Sequence, residues 1–137
     1  MIKEVGVDMQ YFFEPINLIQ WNMFEEVKSV GHIEPFLAVK SMQLGDIVLL
    51  HVGKQDKSKE SGVYAYGTIV KGPYILTNSP EDYCNNKNTV DVKIKYISYG
   101  EPLIDTNKSK LIFSQFRRVY KLSIKSVDKL LELNLIG

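Results

Sequence analysis

Residues Met42 to Tyr74 carry two apolar runs of different pattern on either side of a charged tip, and few folds accommodate that order. The first run, Ile47-Val48-Leu49-Leu50-His51-Val52, follows Gly45-Asp46, where glycine can take positive φ and aspartate can bond the backbone ahead of it. It shows no alternation, which predicts a strand covered on both faces. The tip, Gly53 to Ser61, mixes Lys54, Lys57 and Lys59 with Asp56 and Glu60 and reads as a solvated hairpin loop. The second run does alternate. Val63, Ala65, Gly67 and Ile69 fall on one side, and Tyr64, Tyr66, Thr68 and Val70 on the other. Small residues on the first side let another backbone or a flat ligand approach closely, and Gly72-Pro73 closes the strand.

Around this pair the chain predicts short elements. Ile2 to Phe13 alternates and reads as a first strand ended by Glu14-Pro15. Leu18, Trp21, Phe24 and Val27 recur every third residue, with Val30 continuing the series, which predicts a helix over Asn17 to Val30 stopped by Gly31. Pro35 opens a second helical stretch, Phe36 to Met42. Tyr74 to Asn88 is rich in Asn, Asp, Ser and Pro and reads as a long surface loop. Thr89 to Tyr99 has the clearest alternation, with Val90, Val92, Ile94, Tyr96 and Ser98 expected inward. Leu111 to Phe116 fits strand or helix. Tyr120 to Ile124 reads as a strand, and Ser126 as the cap of a last helix, Val127 to Leu135, with Val127, Leu130 and Leu131 inward. One α+β domain spanning residues 1–137 follows, with about five or six strands and flanking helices.

Composition excludes several classes. A single cysteine, Cys84, rules out an internal disulfide and a multi-cysteine zinc site, and two histidines make a structural metal unexpected. No run is long enough to span a membrane and the start is polar, so a cytoplasmic location is expected. Residues 1–86 hold seven lysines against eleven acids, whereas residues 87–137 hold ten basic residues against five acids. That asymmetry points to an anionic partner for the second half.

The segments Lys40 to Leu49, Gly62 to Val70, Gly72-Pro73 and Val90 to Ile94, with Trp21 upstream, together resemble the EVE domain family of the PUA-like superfamily. The family features matched are a Gly-Asp turn before an apolar strand, a glycine-bounded strand before a proline, and a later Val-Asp-Val strand. The resemblance covers roughly Asn17 to Leu135. It implies a PUA-like pseudobarrel of mostly antiparallel strands whose concave pocket accepts one extruded, chemically modified base of DNA or RNA, without chemistry of its own. It also admits an effector protein encoded separately.

Such a site needs flat surfaces for stacking, polar groups for the base edge and positive charge outside. For stacking the chain offers Trp21, Tyr64, Tyr66 and Tyr74; for the edge Asn22, His51, Thr68 and Asp91; for phosphates Lys93, Lys95, Arg117 and Arg118. If the chain is extended there, Arg117 and Arg118 point to opposite sides, so at most one of the two is expected to reach a phosphate. Each has a plainer role as well: Trp21 as core, the tyrosines as barrel wall, His51 as a bonded core histidine. Cys84, His51 and Asp91 would be the residues of a catalytic reading, but no surrounding signature supports it, and no phosphate loop, dinucleotide fingerprint or cofactor motif appears. No enzyme and no cofactor are therefore expected. The alternative is a protein-interaction module that keeps the fold and presents an exposed apolar patch in place of a pocket.

Overall fold

The structure, a computed structural model, describes residues 9–54 and 57–136. Six strands form one mixed sheet: β1 (Tyr11–Ile16), β2 (Ile33–Leu37), β3 (Ile47–Val52), β4 (Gly62–Ile75), β5 (Asn88–Ile97) and β6 (Tyr120–Lys121). Their order is β2-β5-β4-β3-β1-β6. Only β1 and β3 run parallel; the other pairs are antiparallel. Among the described residues three helices accompany them: α1 (Met23–Glu26), α2 (Thr106–Ile112) and α3 (Ile124–Glu132). The α+β architecture expected from the sequence is the one observed.

Every residue of β3 is buried, because it lies between β1 and β4 and has an apolar cluster on each face. Val48, Leu50 and Val52 join one cluster with Phe12, Ile16, Phe36 and the inward valines of β5. Leu49 and Ile47 join the other with Phe13, Ile104, Ile112 and Leu130. The strict alternation expected for β4 does not hold. The register slips between Leu50 and His51 of β3, and between Tyr66 and Gly67 of β4. Consecutive residues Tyr64 and Ala65 thus share one cluster while Val63 belongs to the other. β4 also continues past Gly72-Pro73 to Ile75, with shifts around Lys71 that accommodate the proline.

Several expected elements are corrected. The first strand begins at Tyr11 and runs through Glu14-Pro15 to Ile16; the expected portion over residues 2–8 lies outside the described residues. Its parallel partner β3 and the short β6 supply bonds that the proline does not interrupt. The Asn17 to Val30 helix is a turn followed by four residues of α1, since the Asn22 side chain accepts from the Phe24 N–H at 3.1 Å and restarts the chain as a cap. The apolar stripe nonetheless packs: Leu18 and Val27 are buried and Trp21 and Phe24 lie against the same cluster, whereas Val30 is exposed. The Phe36 to Met42 helix is absent: Phe36, which pairs with Val90, and Leu37 end edge strand β2, and residues 38–42 form an irregular turn. The ambiguous Leu111 to Phe116 divides between the end of α2 and an irregular segment. α3 starts earlier, with Ser123 as its cap accepting from the Ser126 N–H at 3.1 Å, and Leu131 is half exposed.

Candidate functional site

A cleft of about 950 Å³ opens at the carboxyl ends of the parallel pair β1 and β3. Glu14, Pro15 and Ile16 from β1 and His51 from β3 form its floor, and the turn after β1 adds Asn17, Gln20 and Trp21. The β3–β4 loop brings Lys54 and Ser61, and the turn-rich segment before β5 brings Tyr83 and Lys87. α2 contributes Thr106, Ser109 and Lys110, and the segment leading to β6 contributes Phe116, Arg117, Arg118 and Val119. Its volume is within the range of small-molecule sites.

Local bonds hold these walls. Asp105 caps α2 by accepting from the Lys108 N–H at 2.9 Å, and the Thr106 hydroxyl donates to the Ser61 carbonyl at 2.8 Å. The helix that carries Lys110 is thereby fixed to the start of β4. The Trp21 ring meets Phe36 edge to face at 5.5 Å, which sets its plane without enclosing it. His51 lies 5.0 Å from Phe13 and 5.1 Å from Phe116, ring centre to ring centre. Burial lowers the His51 pKa from 6.5 to about 4, so the imidazole is neutral near pH 7.

Glu14 is the least expected member. It is 2% exposed, and its Oε1 has no hydrogen-bond partner. No described lysine or arginine pairs with it. Burial raises its carboxyl well above the ordinary range, and burial first and Glu14 second raise the Tyr83 hydroxyl. The rim is of opposite character: Lys54, Lys87, Lys110, Arg117 and Arg118 are all exposed, and among the described residues none pairs with a carboxylate. The cleft thus has a polar and aromatic interior inside a cationic border.

Of the residues singled out by sequence, Trp21, His51, Arg117 and Arg118 come together here, with both arginines in the cleft lining. The others stand elsewhere. Asn22 is occupied as a helix cap. Tyr64 is 1% exposed, donates to the Glu60 carbonyl and meets Phe24 edge on. Tyr66 stacks on Tyr96 across the β4–β5 pair at 5.8 Å. Thr68 sits in register between Ile47 and Lys93. Asp91 accepts from the Tyr74 hydroxyl at 2.6 Å; burial first, then this bond, raises Tyr74 to about 12. Lys93 and Lys95 lie along β5, away from the cleft lining. Cys84 is buried, and burial followed by Asp82 pushes its thiol up to about 12, so the thiolate is scarce near neutrality. Among the described residues no three metal-ligating side chains gather. No helix there is long and apolar enough to cross a membrane.

Sequence reasoning missed Glu14, Lys54, Tyr83, Lys87, Lys110 and Phe116. One signal was available for Glu14. Phe12, Glu14 and Ile16 alternate onto a single strand face, which sets a carboxyl between two core residues.

No protein-family model and no curated protein matches the chain by sequence. Solved structures do match. A crystal structure from Pseudomonas syringae superposes with a TM-score of 0.60 at 16% identity, over 90% of this chain and 98% of that one. A solution structure from Rhodopseudomonas palustris gives 0.56 at 14% identity, over 94% and 96%. The ASCH protein of Zymomonas mobilis gives 0.52 at 12% identity, over 90% and 94%. These likenesses show a shared fold; they do not single out the EVE family that the sequence resembles.

Proposed function

We propose that the protein binds single-stranded nucleic acid and takes one base, in the finer reading a modified base, into the cleft at the ends of β1 and β3. The observation that carries this reading is the charge arrangement: five exposed cations, none paired with a carboxylate among the described residues, border a cleft whose interior is aromatic and polar. Phosphates are attracted to the rim, while a base finds Trp21 and Phe116 for stacking and Glu14 and His51 for its edge. The cleft has room for a substituent on the base as well as for the base itself. The PUA-like fold makes RNA the first polymer to test.

The interaction-module reading asked for an exposed apolar patch in place of a pocket, and the cleft counts against it. Catalysis is not part of the proposal.

Trp21 is the sole tryptophan, so its emission reports directly on the cleft. Titration with short RNA and DNA strands is expected to shift or quench that emission saturably, and Trp21→Ala is expected to weaken binding by roughly 1 to 3 kcal/mol, the range for one stacked base, while keeping a cooperative melt. Binding that leaves Trp21 emission unchanged and is unaffected by Trp21→Ala would place the nucleic acid elsewhere.

A further inference from the structure

A carboxyl that is 2% exposed, paired with no described cation and bonded to nothing at Oε1 is costly to the fold, and the folded protein retains it in the floor of the cleft at the ends of β1 and β3. A carboxylate so placed would be an uncompensated buried charge, whereas the neutral acid carries one hydroxyl donor and one carbonyl acceptor side by side. We propose that Glu14 reads the base: its carboxyl, as a neutral acid, donates one hydrogen bond to and accepts one from an uncharged heterocycle edge bearing an acceptor and a donor next to each other.

This assignment rests on the nucleic-acid reading above and names the chemistry of the ligand's deepest part. Amide and amidine edges of nucleobases satisfy both halves of the carboxyl. A phosphate has no donor for the acceptor half, and an alkyl group answers neither half, so both are refused at the floor. The raised pKa of the buried carboxyl agrees with the neutral form. Positions around it fit the role: His51, neutral by burial, and the Tyr83 hydroxyl border the same floor without adding charge, and Trp21 supplies the flat neighbour.

The test is a binding comparison of wild type, Glu14→Gln and Glu14→Leu against adenylate, cytidylate and uridylate octamers and an abasic ribose-phosphate octamer, with each variant's melt recorded. The amide of glutamine preserves the neighbouring donor and acceptor, and leucine removes both. Glu14→Leu is expected to weaken the best-bound base octamer by about tenfold or more, the discrimination of one bidentate pair, and to leave the abasic octamer unchanged. Glu14→Gln is expected to stay within about threefold of wild type, because a neutral hydrogen-bonding pattern is kept. Should the leucine variant not fold, Glu14→Met takes its place in the same comparison.

Equal binding by wild type and Glu14→Leu overturns the assignment, as does an equal loss for glutamine and leucine, which would mean an ionised contact. A loss on the abasic octamer as large as that on the base octamers also overturns it, by showing a structural effect. If no octamer binds wild type, abasic included, the nucleic-acid reading itself falls; if all bind alike, only the reading of Glu14 falls.

Discussion

At the scale of single residues, two buried titratable groups at neighbouring positions of β1 and β3 push stability in opposite directions with pH. His51 has a folded pKa of about 4 against an ordinary 6.5, so between these values the unfolded chain binds a proton that the folded one does not. Stability therefore falls as pH is lowered through that window. Glu14 has a folded pKa raised above its ordinary 4.5, so above that value the folded chain keeps a proton that the unfolded one releases. Stability falls as pH rises through that second window. Glu14→Gln is expected to melt at a higher temperature than wild type near pH 7 and to flatten the decline on the alkaline side, read by calorimetry from pH 4 to 9. A lower melting temperature near neutrality would show Glu14 to be a stabilising ion. A gain in stability on losing a native residue is what a site retained for binding predicts.

Among elements, β4 shows why legibility was uneven. Its membership in a sheet and the burial of all of β3 could be read from apolar pattern alone, because burial on both faces leaves a continuous run, whereas the continuation of β4 past Gly72-Pro73 could not. Which β4 side chains face which cluster could not, since register slips are set by the partner strands β3 and β5. Tyr64, a candidate for stacking, became core for that reason. Gly67 met the expectation of close approach, although what approaches is a backbone: a Cβ there would lie on the Lys93 carbonyl and the Val92 side chain. Gly67→Ala is thus expected to destabilise by about 1 to 3 kcal/mol through overpacking, measured by denaturant unfolding. An unchanged midpoint would mean that β5 can move away freely. The stripe from Leu18 to Val27 shows the complementary case, where burial was legible and conformation was not, because a side-chain cap at Asn22 decides where the helix begins.

For the whole molecule, the excess of basic residues after position 86 becomes local once folded. Lys87, Lys110, Arg117 and Arg118 from that half meet Lys54 at one rim, although they lie far apart in the chain. The sequence showed the excess; only the packing of α2 and the segment before β6 against the β3–β4 loop shows where it is spent. Glu14 was hidden for the same reason, since its value as a site residue depends on the empty space beside it. Replacing Arg117 and Arg118 together with alanine is expected to weaken binding to every strand alike and to reduce the slope of log affinity against log salt by about 0.7 for each lost phosphate contact. An unchanged slope would remove both from the phosphate path.

The measurement that bears most directly on the central claim is the affinity of the intact protein for short single- and double-stranded RNA and DNA, each unmodified or carrying one methylated or hydroxymethylated base, at two salt concentrations. The account predicts that single strands bind more tightly than duplexes, that affinity falls with salt, and that one modified base strengthens binding. A folded protein that binds none of these strands at either salt concentration would contradict it.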